Sequence, residues 1–376
     1  MHHNNPYRTA EIDPGIKTQQ VDNGNGLQVH VLTAGEQANP CVLLLHGFPE
    51  LAFSWRKIIM PLAEAGYYVI APDQRGYGNT TGSDNSYDGD LASFRLLNLV
   101  QDAVGLVKAL GKDSVKAVVG HDFGSSVAAW CAVTRPDIFQ SVVMMSAPFA
   151  GTPSVSVNKS QSSVATIDHD ALEQLNPPRK HYQWYYSTPH ANDNMMNCEQ
   201  GLMNFLRAYY HHKSADWPDN HPHRLESWAA EQLAIMPTYY VMHKDAGMAE
   251  TVAEEMPDSA TIEAATWLTN GELSVYTNAF EKTGFQGGLN WYRCVTSGRY
   301  TTEMQQFSGH KIDIPSMFIA GASDWGIFQK PGEYESMQQS ACSQFQGSHL
   351  IKGAGHWVQQ EQPAMVLDAL VEFIKR

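Results

Sequence analysis

Gly120-His121-Asp122-Phe123-Gly124 sets a single carboxylate between two glycines. The apolar run at 116–120 reads as a buried strand. Residues 125–134 read as a helix that stops before Pro136. Small–x–nucleophile–x–small between strand and helix is the layout of a nucleophile elbow. Such a tight, strained turn lifts one side chain above a sheet, near a helix N-terminus. Turns of this kind commonly carry serine, which attacks carbonyl carbon; here the central residue is aspartate. A carboxylate suits an sp3 carbon, with which it forms an ester that water can later cleave. The expected chemistry is therefore at an epoxide or a carbon–halogen bond.

A carboxylate nucleophile needs a base to activate water, an acid for the leaving atom, and donors for an oxyanion. The base candidate is His356, in the glycine-bearing loop Gly353-Ala-Gly-His-Trp-Val358 after the last predicted strand. Its orienting acid is Asp324, in Gly321-Ala-Ser-Asp-Trp325. Active sites of open α/β sheets gather at the carboxyl ends of strands, which ranks Asp324 above Asp313, a residue that precedes its strand. The order nucleophile, acid, histidine is that of the α/β-hydrolase fold. Oxyanion donors are the backbone N–H groups of Phe123 and of Phe48, the latter in His46-Gly-Phe-Pro-Glu50. The Phe48–Pro49 peptide is a candidate for the cis form.

The elements that must position these residues alternate. Residues 27–32 alternate with period two, while 41–45, 67–71 and 141–145 are apolar strand-like runs. Leu96, Val100, Val104, Val107 and Leu110 recur at helical spacing before Gly111. A mostly parallel sheet flanked by helices follows. The rhythm breaks after residue 150. Residues 151–310 carry no clear strands, open with a polar Ser-rich link at 151–164, and contain helix-like stretches at 199–210 and 270–282. Strands return at 315–321 and 348–351, followed by a closing helix at 363–374. The expected organisation is an α/β core, 1–150 and 311–376, interrupted by a helical cap, 151–310, that covers the site.

The 376 residues are 43% hydrophobic, enough for a large core without disulfides. Five scattered cysteines argue against a disulfide framework and for a reducing compartment such as the cytoplasm. A formal net charge of −14 disfavours nucleic acid and anionic membrane surfaces. No apolar stretch reaches spanning length, and residues 1–6 lack the pattern of a signal peptide. His211-His-Lys-Ser-Ala-Asp216 and Asp219-Asn-His-Pro-His223 match no standard metal spacing and read as a solvated cap loop. No cofactor or metal is called for.

Four motifs carry a resemblance. His46-Gly-Phe-Pro-Glu50, Asp73-Gln-Arg-Gly-Tyr-Gly78, the Asp122 turn, and Gly355-His-Trp357 with Gln360-Glu-Gln-Pro363 resemble the core loops of epoxide hydrolases of the α/β-hydrolase superfamily, in particular the soluble epoxide hydrolase group. In the cap, Tyr182 of His181-Tyr-Gln-Trp-Tyr-Tyr186 resembles the first of that family's two epoxide-gripping tyrosines. Tyr292 of Leu289-Asn-Trp-Tyr-Arg293 resembles the second. The resemblance implies that both phenols donate to the ring oxygen. Tyr185, Tyr186 and Tyr276 read as structural. Trp184, Trp291, Trp325 and Trp357 are expected to line an apolar pocket for a small lipophilic epoxide, with water as co-substrate. The cap is longer than the family usually shows, before Tyr182 and between Tyr210 and Trp267. A haloalkane dehalogenase would share the Asp–His pair but normally places Trp or Asn where this chain has Phe123 and Phe48. A non-catalytic binding protein on the fold would usually have lost one of these groups.

Overall fold

The computed structural model describes residues 11–155 and 167–376. The first six residues and most of the Ser-rich link lie outside them. Ten strands are described: β1 Lys17–Asp22, β2 Gln28–Ala34, β3 Cys41–Leu45, β4 Tyr68–Pro72, β5 Ala117–His121, β6 Val142–Met145, β7 Arg179–His181, β8 Val241–His243, β9 Ser316–Gly321 and β10 Phe345–Ile351. Eight of them form one sheet in the order β1-β2-β4-β3-β5-β6-β9-β10. β1 and β2 pair antiparallel and β2 meets β4 antiparallel; all the remaining pairs are parallel.

The central strands β3, β5 and β6 are buried along their whole length, which is why their sequences are continuously apolar. β2 departs from the expected half-solvated alternation. Its polar His30 is buried and its Nδ1 lies 2.9 Å from Asp73 Oδ2, so β2 is also covered on both faces. Helices Leu96–Ala109, Phe123–Thr134 and Pro363–Lys375 carry the flanking layers.

The segment between β6 and β9 is mainly helical, including Gly201–Lys213, Asn270–Thr283 and Gln286–Thr296. It is not strand-free. β7 and β8 pair antiparallel, from Arg179 with His243 to His181 with Val241. With three residues each, neither strand is long enough to show a period in the sequence. The stretch 211–223 is not a solvated loop either. His212, Lys213, Ser214 and Asn220 are buried, with His212 packed between Trp217 and Tyr239 at 4.4 and 4.7 Å.

Candidate active site

The parallel topology brings the carboxyl ends of β3, β5, β9 and β10 to one sheet edge, and the residues singled out above follow those ends. Asp122 lies between β5 and helix Phe123–Thr134 with φ 54° and ψ −119°, one of two non-glycine residues at positive φ among the described residues. Strain of this kind persists where surrounding contacts hold it. Phe48 N–H donates to Asp122 Oδ1 at 2.9 Å. Phe123, as first residue of its helix, contributes one of the N-terminal amides that have no intrahelical partner. The Phe48–Pro49 peptide is cis.

His356 faces both acids. Its Nδ1 stands 3.1 Å from Asp324 Oδ1, and its Nε2 3.5 Å from Asp122 Oδ2. The Asp324 carboxylate at Nδ1 fixes the ring so that Nε2 points toward the nucleophile. Asp324 is 1% exposed and caps the short helix Trp325–Ile327, with Gly326 N–H donating to Oδ1 at 2.7 Å. Asp313 is exposed and precedes β9, at the far end of that strand. Burial alone would raise the pKa of Asp122. The proximity of His356, with the charges of Lys213 and His121, outweighs burial and holds the carboxyl well below its ordinary range.

Tyr182 and Tyr292 face each other with ring centroids 6.0 Å apart. Tyr292 packs edge-on against Phe48 at 5.6 Å and Phe123 at 5.3 Å, the two residues whose amides flank Asp122. Their supports differ. Tyr182 directly follows β7 and its N–H donates to Tyr240 O, while Tyr292 rides on helix Gln286–Thr296. Tyr182 OH donates to Gln329 Oε1 at 3.0 Å and accepts from Gln183 Nε2 at 3.1 Å. Burial first, and the Asp122 charge second, raise both phenols well above their ordinary pKa. They keep their protons at neutral pH.

The tryptophans divide. Trp291 is buried against Phe123 and Tyr77, with its indole N–H given to Arg75 O at 3.0 Å. Trp357 is buried behind His356, with its N–H given to Tyr210 O at 2.8 Å. Trp325 is buried beside His223. Trp184, expected in the pocket wall, is instead 37% exposed and packs on His169 and His181. On its short helix it points away from the buried rings of Tyr182, Tyr185 and Tyr186.

Several residues at the site escaped the sequence reading. Beneath Asp122, His121 Nδ1 lies 2.6 Å from Glu50 Oε2, and His121 Nε2 lies 2.7 Å from the carbonyl oxygen of His356. Both ring nitrogens face acceptors, so the geometry favours the imidazolium. Burial opposes that charge, but the Glu50 carboxylate prevails and raises the pKa of His121; Glu50 is lowered in turn by His121 against its own burial. Gln359 and Gln360 each donate to Glu50 Oε1 at 3.0 Å. The only signal for this pair was its place inside the quoted motifs. Tyr186, read as structural, is wedged among Phe48, Tyr182 and Tyr292 and donates to Tyr209 OH at 3.1 Å. Nothing in the sequence marked Gln329.

A family model for the α/β hydrolase fold matches residues 40–195. Epoxide hydrolase A of Mycobacterium tuberculosis is 32% identical over 96% of this chain and 98% of its own length. An epoxide hydrolase of Caballeronia sordidicola is 29% identical over 98% and 96%. Among solved structures, an epoxide hydrolase from an endophytic Streptomyces superposes with a TM-score of 0.77 at 28% identity, covering 96% of both chains. Potato epoxide hydrolase I superposes with a TM-score of 0.73 at 28% identity, covering 96% of this chain and 99% of its own. With that identity over nearly the whole of both chains, the chain belongs to the epoxide hydrolases of the α/β-hydrolase fold.

Proposed function

We propose that the chain converts an epoxide to a vicinal diol through an aspartyl ester. The observation that carries this reading is the Asp122–His356 contact beside the paired rings of Tyr182 and Tyr292, with Tyr292 packed on Phe48 and Phe123. In the proposed reaction the phenols donate to the ring oxygen. Asp122 Oδ2 attacks one ring carbon from the opposite side, the carbon–oxygen bond breaks, and the alkoxide takes a phenolic proton. His356, oriented by Asp324, removes a proton from water, and the hydroxide attacks the ester carbonyl. The N–H groups of Phe48 and Phe123 hold the oxyanion, its collapse expels the diol, and the proton taken up by His356 returns to the phenolate.

The division that fits this chemistry is a core of residues 1–150 and 311–376 under a cap of residues 151–310, since both phenols come from the latter. The rings of Phe48, Phe123, Trp291 and Tyr186, packed around Tyr292 and one another, support a lipophilic epoxide. Halide binding is less well served, because the indole N–H groups of Trp291 and Trp357 are committed to backbone carbonyls. The five cysteines are unpaired, which supports a reducing compartment such as the cytoplasm. Among the described residues no helix is long and apolar enough to cross a membrane.

The test is intact-mass analysis of acid-quenched mixtures beside diol assays on a panel of epoxides. Wild type gains the mass of one epoxide and releases diol, Asp122→Ala does neither, and Tyr292→Phe slows ring opening by about 10²–10⁴. Full diol formation by Asp122→Ala would sink the assignment.

A further inference from the structure

The base sits in a loop, yet three successive amides of that loop are held. His356 N–H donates to Lys213 O at 2.8 Å. The N–H groups on either side, of Gly355 and Trp357, donate to Glu361 at 2.9 Å (Oε2) and 3.0 Å (Oε1). Glu361 Oε2 also accepts from Ala215 N–H at 2.8 Å, across from the cap segment. The two segments touch closely: a Cβ on Gly355 would stand 2.4 Å from the carbonyl carbon of Ser214 and 2.6 Å from Lys213 O. No residue other than glycine fits there. Burial, abetted by the Asp216 charge, pushes the Glu361 carboxyl up to about 8, while the three N–H groups pull it down.

We propose that Glu361 is a positioning residue for the base. Its two carboxyl oxygens tie the His356 loop to residues 213–215 and so fix the aim of the imidazole. Glu361 touches neither the imidazole ring nor Asp122, so its action runs through the backbone. The inference rests on the aspartyl-ester reading above, and its consequence is specific to one half of that reaction. Ester formation uses Asp122 and the phenols; ester cleavage needs His356 aimed at water. Glutamine offers one acceptor oxygen and an NH₂, so Glu361→Gln sets N–H against N–H at one or more of the three contacts.

The experiment is steady-state kinetics and rapid-quench mass analysis on a styrene-type epoxide, with circular dichroism to check folding. For Glu361→Gln, kcat is expected to fall about 10-fold or more. KM should fall with it, kcat/KM should stay within about 3-fold, and the fraction of enzyme carrying the ester should rise. Glu361→Asp, which keeps the carboxyl group but draws it back by one methylene, should move the same quantities less, and it decides the question by the same split should Glu361→Gln fail to fold. Wild-type behaviour of both variants overturns the proposal. So does an equal fall in kcat and kcat/KM without ester build-up, the pattern of a merely structural residue. Absence of any ester in wild type would instead remove the aspartyl-ester reading, and the clamp's role with it.

Discussion

Asp122 works in a space with no slack. Gly47 passes so close that a Cβ there would stand 2.4 Å from both Cβ and Oδ1 of Asp122. The same stretch presents the Phe48 amide to that oxygen. Gly47→Ala must therefore push the carboxylate or its donor aside. Displacements of about 1 Å near reacting atoms cost about 10²-fold in rate. We expect Gly47→Ala to lose about that much kcat/KM while retaining its fold, read by epoxide turnover and circular dichroism; full activity would show that the carboxylate tolerates the displacement. At this scale Asp122, His356 and Asp324 were legible because each follows an expected strand in a short, recognisable string. Gln329 and Lys213 were not. Their roles depend on contacts made 147 residues away, to Tyr182, in the one case. In the other they depend on a carbonyl that meets His356 only after folding.

Strand β5 delivers two functional residues in succession, His121 below and Asp122 above. The element therefore has a buried charge pair with Glu50 under its catalytic end. His121 is raised above its unfolded pKa of about 6.5, so its contribution is fully present below that pH and is lost as pH rises through the raised value. Glu50 is depressed below its unfolded value of about 4.3, so its share is lost only as pH falls through that lowered value. Breaking one partner of a buried pair costs about 3–5 kcal/mol. The stability gap between wild type and His121→Gln should be widest between about pH 5 and 6.5 and should narrow above neutrality. Chemical denaturation across pH measures it, and a gap independent of pH would exclude the ion pair. Seven strands of this sheet were legible to within three residues at each end, but β1, polar and mostly exposed at the sheet edge, was not. β7 and β8 were not, because three-residue strands are defined by their partner rather than by their own pattern.

The sheet and the inserted segment are joined by buried polar contacts as well as by rings. Arg56, at the start of helix Arg56–Glu64, bonds Glu272 of helix Asn270–Thr283 at 2.8 Å and Gln360 at 2.7 Å. Gln360 continues to Glu50 and so to His121. Removing Glu272 would leave the Arg56 guanidinium, a group almost wholly buried, short of its charged partner. Glu272→Ala should cost about 3 kcal/mol of unfolding free energy, measured in urea, with the loss at the junction visible as faster proteolysis of the inserted segment. A change under about 0.5 kcal/mol would mean that the contacts of Arg56 to Gln360, Phe53 O and Trp267 O suffice. The mainly helical character of the segment between β6 and β9 was legible in the loss of strand–helix rhythm after residue 150. Its docking was not, since Arg56 and Glu272 are 216 residues apart and each looks like an ordinary surface charge in its own helix.

The two oxygens of Asp122 are not equivalent, because Oδ1 is tethered to the Phe48 amide while Oδ2 is turned toward His356. In the proposed reaction Oδ2 becomes the bridge to carbon and departs with the diol, and solvent refills the vacancy from the histidine side. One hydroxyl of each product molecule is thus an atom that belonged to the polypeptide, and oxygen from the surrounding water enters product one cycle late.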